Sequence, residues 1–208
     1  MRRSATIRLT DPRALRAYAH PLRLALIGAL RGRGPLTATT AANLLGVSPA
    51  SCSFHLRQLA KYGLVEETGD GTGRERPWRA TALYTRLPKV AATPEHAEAS
   101  RQVYRVLAER YFHKVLHWLA TRTAEPRRWQ HAAHFGDEWL YLTAEELADL
   151  RHRINGILRP YRVRTIQPKR RPLGARPVTF LHLAFPEDEI GGDAATGRAV
   201  RRRTRHRQ

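Results

Sequence analysis

The chain has 208 residues with 37 Lys and Arg against 18 Asp and Glu, a formal charge of +19 and a pI near 11.4, a balance that points to a polyanionic partner and away from an ordinary cytosolic enzyme. An apolar content of 42% can supply a core and excludes full disorder. Cys52 is the sole cysteine, which excludes an internal disulfide or a thiolate metal cluster within one chain, and the longest apolar stretch, Leu24 to Leu30, is far too short to span a membrane.

Between Met1 and Val65 stand Arg2, Arg3, Arg8, Arg13, Arg16, Arg23, Arg31, Arg33, Arg57 and Lys61 against the single acid Asp11. Arginine excess alone can be solvated surface, so its position carries more of the argument than its amount. The opening Met-Arg-Arg-Ser has the charge of a signal n-region, but Arg8, Asp11, Arg13 and Arg16 interrupt any hydrophobic stretch behind it. A cytoplasmic protein with no membrane partner is expected.

Asp11-Pro12 reads as a helix start, followed by Leu15, Tyr18 and Ala19 at helical spacing. His20 interrupts, and Pro21 opens a second helix whose broad apolar face is Leu22, Leu24, Ala25, Leu26, Ile27 and Leu30, ended by Gly32, Gly34 and Pro35. Thr37 caps a third helix through Ala42, Leu44 and Leu45 that closes at Gly46, and Ser48-Pro49 caps a fourth that reaches Tyr62. Two helices joined by about three residues predict a helix-turn-helix. On the second of them Cys52, Leu56 and Leu59 share one face, leaving Ser51, Ser53, Phe54, Arg57 and Gln58 elsewhere. Leu64–Thr68 and Trp78–Thr81 then predict two strands around a glycine-rich tip carrying Arg74 and Arg76, a wing.

The stretches "AHPLRLALIGAL", "TATTAANLLGVSPASCSFHLRQLAKYGLVEE" and "GDGTGRERPWRAT" together resemble the ArsR-type winged-helix repressors over roughly Asp11 to Tyr84. The resemblance implies a homodimer that binds operator DNA and is displaced from it by a metal or another signal. Metal-sensing members carry paired cysteines near the start of the recognition helix. Cys52 stands alone here, so arsenic or cadmium sensing at that site is not carried over.

Beyond a linker from Leu87 to Pro94, a long helix to about Arg122 is predicted, striped by Val103, Leu107, Tyr111, Val115 and Leu119. His131 to Leu142 reads as a hairpin, Thr143 to Glu146 as a capping box for a helix through Leu158, Pro160 to Pro177 as a basic loop, and Val178 to Phe185 as a strand. The expected class is therefore mainly α with small β. It comprises a winged helix-turn-helix over residues 1–86, a long helix with a small α+β dimerisation and effector module over 87–190, and a disordered basic tail over 191–208.

The residue types assign roles. Ser51, Ser53, Phe54 and Arg57 are placed at the major groove, Arg57 suited to guanine; Thr39, Thr40 and Lys61 are placed at phosphates; Ser48 and Pro49, which start the recognition helix, are counted with the DNA-binding residues; Arg74 and Arg76 on the wing are placed at the backbone or minor groove. His55 is read either as a phosphate contact or as a half-buried structural residue, and Cys52 as a small hydrophobe. His113, His117, His131 and His134 could be spaced for zinc, but ten histidines in a basic chain produce such spacings, so no metal and no cofactor are expected. The aromatics Trp118, Trp129, Trp139, Tyr141 and Phe180 read as module core more than as a pocket, while leaving room for a small-molecule effector. No phosphate loop, nucleophile elbow or organised carboxylate pair supports an enzyme. A sequence-specific regulator on double-stranded DNA is the reading, with a nonspecific architectural DNA- or RNA-binding protein as the alternative.

Overall fold

The computed structural model describes residues 4–69, 76–88 and 90–187. By internal contacts the chain forms two compact units, Met1–Leu173 and Gly174–Gln208. Among the described residues the fold is mainly helical with two small sheets.

The first unit opens with β1 (Ser4–Arg8), which leads into α1 (Pro12–Tyr18) and α2 (Pro21–Arg33). Both helices begin on proline, whose fixed φ suits the first turn and whose missing N–H needs no partner there. Asp11 caps α1 by accepting the Arg13 N–H at 2.8 Å, and His20 caps α2 through its imidazole. Next come α3 (Ala38–Leu45) and α4 (Pro49–Lys61). Thr37 and Ser48 cap these through their hydroxyls, and Gly46 ends α3 in the left-handed region at φ 67°, a conformation that disfavours a Cβ.

These helices close around one core. Leu15, Leu26, Ile27, Leu30, Cys52, Leu56, Leu59, Leu64 and Val65 are all fully buried in it. The apolar faces read from helical spacing are thus the faces that pack.

Behind α4 runs an antiparallel hairpin of β2 (Val65–Glu67) and β3 (Trp78–Ala80), with Val65 opposite Ala80 and Glu67 opposite Trp78. Leu36 extends it by exchanging backbone hydrogen bonds of 3.0 and 2.8 Å with Trp78. The hairpin is the expected wing; its tip, including Arg74, lies outside the described residues. Directly after it, β4 (Ala82–Arg86) pairs in parallel with β1, Thr6 lying opposite Tyr84 and Arg8 opposite Arg86. Arg31 fastens β4 to α2 by donating to the Ala82 carbonyl at 2.9 Å and to the Thr85 hydroxyl at 2.7 Å.

The long helix, α5 (Pro94–Thr121), starts on the Thr93 cap and packs its first turns on α1, burying Ala99 and Val103. Arg16 of α1 pairs with Glu95 of α5 at 2.7 Å. Part of the apolar stripe of α5 is therefore covered within the chain, whereas Phe112, Leu116 and Leu119 remain exposed.

The remainder departs from expectation. Residues Arg127–Ala132 form a short helix, α6, and 133–143 have no regular secondary structure, so the hairpin expected over His131 to Leu142 does not form. A lone two-stranded hairpin gains too little unless another layer covers its apolar face, and here Tyr141 is 91% exposed. The capping box at Thr143 and Glu146 forms as expected and starts α7 (Ala144–Ile166). This helix runs through Pro160 instead of ending before it. A proline inside a helix brings no N–H and crowds the carbonyl four residues back, here that of the exposed Gly156, and Arg162 donates to the Asn155 side chain at 2.7 Å alongside it.

In the second unit residues 178–185 form no strand, and Val178, Phe180, Leu183 and Phe185 are exposed. The strand content expected in the C-terminal module is therefore missing among the described residues, and Trp139, Tyr141 and Phe180 are not its core. Alternating apolar residues specify a strand only when a neighbouring strand and a covering layer exist. The tail from 191 to 208 lies outside the described residues.

Candidate nucleic-acid interface

Helix α4 divides cleanly. Cys52, Leu56 and Leu59 point inward and are fully buried, while Phe54, Arg57 and Lys61 are exposed on the outer side. The helical phase that fixes the core side also fixes the free side. Burial pushes the Cys52 thiol above its ordinary range, so it carries little thiolate and behaves as a small apolar side chain.

The outer side of α4 faces a shallow cleft of about 220 Å³ lined by Thr37, Ala38, Thr39, Ser53, Arg57, Glu67, Arg76 and Trp78. Four residues singled out from sequence, Thr39, Ser53, Arg57 and Arg76, thus meet on one surface, contributed by α3, α4 and the base of the wing. Arg76 is highly exposed and pairs with Glu67 at 3.2 Å; Arg79 on β3 pairs with Glu66 at 2.8 Å. An exposed pair of this kind is weak, so the Arg76 guanidinium can exchange Glu67 for another anion.

Other candidates lie nearby in different surroundings. The Thr40 hydroxyl is 2.9 Å from that of Thr37, and the Ser48 hydroxyl accepts the Ser51 N–H at 3.2 Å, so both serve the caps of their helices. Pro49 occupies the first turn of α4, and Ser51 is half-buried. Arg74 is outside the described residues. Glu67 and Trp78 were not singled out from sequence as site residues, and only the hairpin register, which sets them opposite each other, brings them to the cleft.

His55 proves to be half-buried, its ring stacked on that of His20 with centroids 4.4 Å apart. Among the other histidines, His134 joins Trp118, Arg122, Ala133 and Phe135 around a second shallow cleft of about 220 Å³. Among the described residues no group of three or more His, Cys, Asp or Glu is gathered to hold a metal, and no helix is long and apolar enough to cross a membrane.

Residues 18–68 match the family model of a helix-turn-helix domain, the span from the end of α1 to the start of the wing. No curated protein matches the chain. Among solved structures it is similar to RV1404 from Mycobacterium tuberculosis, at 20% identity and a TM-score of 0.28, over 50% of this chain and 69% of that one. It is also similar to the transcriptional regulator Tm0710 from Thermotoga maritima, at 14% identity and a TM-score of 0.28, over 69% and 78%. Wild-type MarR in its apo form from E. coli gives 18% identity and a TM-score of 0.28, over 70% and 87%. The domain match, together with the α3–turn–α4 geometry, makes the N-terminal region a helix-turn-helix domain, an architecture of DNA-binding transcription regulators.

Proposed function

We propose that the chain is a sequence-specific regulator of transcription that acts as a repressor and binds an inverted-repeat operator in double-stranded DNA as a homodimer. The observation that carries this reading is the outer side of α4: Ser53 and Arg57 face one cleft with Thr39 and Arg76, in a domain that matches a helix-turn-helix model. In this reading Ser51, Ser53, Phe54 and Arg57 meet base edges, and Thr39, Thr40, Lys61 and Arg76 hold phosphates on either side of them. Arg74 extends the wing contact. The finer membership, in the ArsR-type repressors, rests on the sequence stretches that resemble them.

Residues 1–86 would bind DNA, and 87–190 would dimerise and hold any effector. The exposed Phe112, Leu116 and Leu119 on α5 support a second copy there, because water is a poor neighbour for three large apolar groups on one helix. A two-fold pair would set two recognition helices about 34 Å, or ~10 bp, apart on successive major grooves.

A nuclease footprint on the DNA upstream of the protein's own coding region tests the reading. A bounded, palindromic protected site supports it. Coating that spreads along the DNA without a boundary sinks it and favours the architectural alternative.

A further inference from the structure

On the flank of α4 away from Arg57, two imidazoles meet. His20, at the junction of α1 and α2, and His55 stack with centroids 4.4 Å apart and planes inclined by 36°, and the Phe54 ring meets His55 edge-on at 5.2 Å. Nδ1 of His20 accepts the Leu22 N–H at 3.2 Å and so closes the N-terminus of α2. Arg23, in the first turn of α2, donates to the Arg16 carbonyl at 3.3 Å, while its Nε and the Nδ1 of His55 are buried without a hydrogen-bond partner.

The charges around this corner are of one sign. His20 feels Arg23, and His55 feels both His20 and Arg23. The phenol of Tyr62, the residue that ends α4, acts on Arg23, and from α1 Arg16 arrives with its own carboxylate, Glu95, already engaged at 2.7 Å. Among the described residues no carboxylate is placed to neutralise either imidazole.

We propose that His20, Arg23 and His55 form a proton-sensitive latch that positions the recognition helix: neutral imidazoles hold α4 against the α1–α2 corner, and protonation of either ring releases it. A proton on His20 Nδ1 turns the acceptor of the Leu22 N–H into a donor facing a donor and adds charge beside Arg23. A charged His55 would carry a buried Nδ1 donor with no acceptor.

Burial first, then Arg23, holds His20 below its ordinary value of 6.5; burial first, then His20 and Arg23, does the same to His55. The unfolded chain therefore takes up these protons before the folded one. The stability that the corner contributes is complete above pH 6.5 and is lost as the pH falls from there through the lowered folded values.

The DNA-binding arm of the test rests on the proposed function; the melting arm does not. The full chain and a His20→Asn, His55→Gln variant are compared at about pH 7.5 and about pH 5.5, at constant ionic strength, by thermal melting without DNA and by titration of one operator duplex. Asparagine keeps a cap acceptor for α2 and does not titrate. Wild type should lose melting temperature and operator affinity on acidification, while the variant loses much less of both. Equal losses in the two proteins, or none in wild type, overturn the latch. If no duplex is bound at either pH, the DNA-binding reading fails and the melting comparison alone decides the latch. Should the variant not fold, imidazole titration by NMR replaces it: midpoints for His20 and His55 below 6.5 that coincide with shifts of α4 amides support the latch, and midpoints at or above 6.5 overturn it.

Discussion

Replacing Arg57 by alanine separates reading DNA from merely holding it. The side chain is exposed on α4 and lines the cleft shared with Ser53, Thr39 and Arg76, so its removal leaves no cavity and should move folding stability by less than about 0.5 kcal/mol. An arginine in this position can make two parallel bonds to one guanine edge, and losing such a pair costs ~1 to 3 kcal/mol, or roughly 5- to 150-fold in affinity for the operator. A duplex of scrambled sequence offers Arg57 only phosphate, so there the loss should be a few-fold and should shrink with salt. The assay is fluorescence anisotropy with both duplexes at one salt concentration, accompanied by melting to show that the fold is intact. Loss by the same factor on both duplexes would refute the assignment of α4 as the reading helix.

Arg76→Ala should behave differently. Its exposed pair with Glu67 contributes little to stability, but one phosphate contact fewer lowers the slope of log K against log salt by about 0.9, so the advantage of wild type should shrink about 3.5-fold between roughly 50 and 200 mM salt. An unchanged slope would remove this part of the wing from the DNA backbone. For the dimer, sedimentation of wild type at micromolar concentration should give two copies, and Leu116→Asp, on the uncovered part of α5, should give one. A monomeric wild type, or a variant that stays dimeric, would place the subunit contact elsewhere or abolish it.

The helix-turn-helix was legible because its signals are local. Thr37 and Ser48 cap its helices through hydroxyls, Gly46 needs its left-handed turn, and Leu56 and Leu59 mark the buried side of α4, all within one or two turns of the residues they govern. The β1–β4 pair was not legible, because two short segments far apart in sequence recognise each other only once the helices between them have folded. The strands expected near Trp139 and Phe180 failed for the converse reason: the alternation was present but no partner strand came to it. At the site, the cationic and hydroxyl residues were readable by type and helical phase. Glu67 entered the cleft through hairpin register, and His20 met His55 through helix packing, neither of which spacing along the chain reveals.

The parallel pairing of Ser4 with Ala82 also sets a timetable for biosynthesis. As the chain emerges from the ribosome, β1 is made first and its partner comes roughly 80 residues later, a wait of about 4 to 16 s at ~5–20 residues per second. Through that interval α1 to α4 can collapse together while a strand edge stands open beside them, available to chaperones or to a neighbouring nascent chain. The order in which residues appear thus makes β4 the last piece of the DNA-binding region, ahead of the connection that leads to α5. A chain broken off before Ala82 would hold both helices of the turn and still lack the strand that closes the domain.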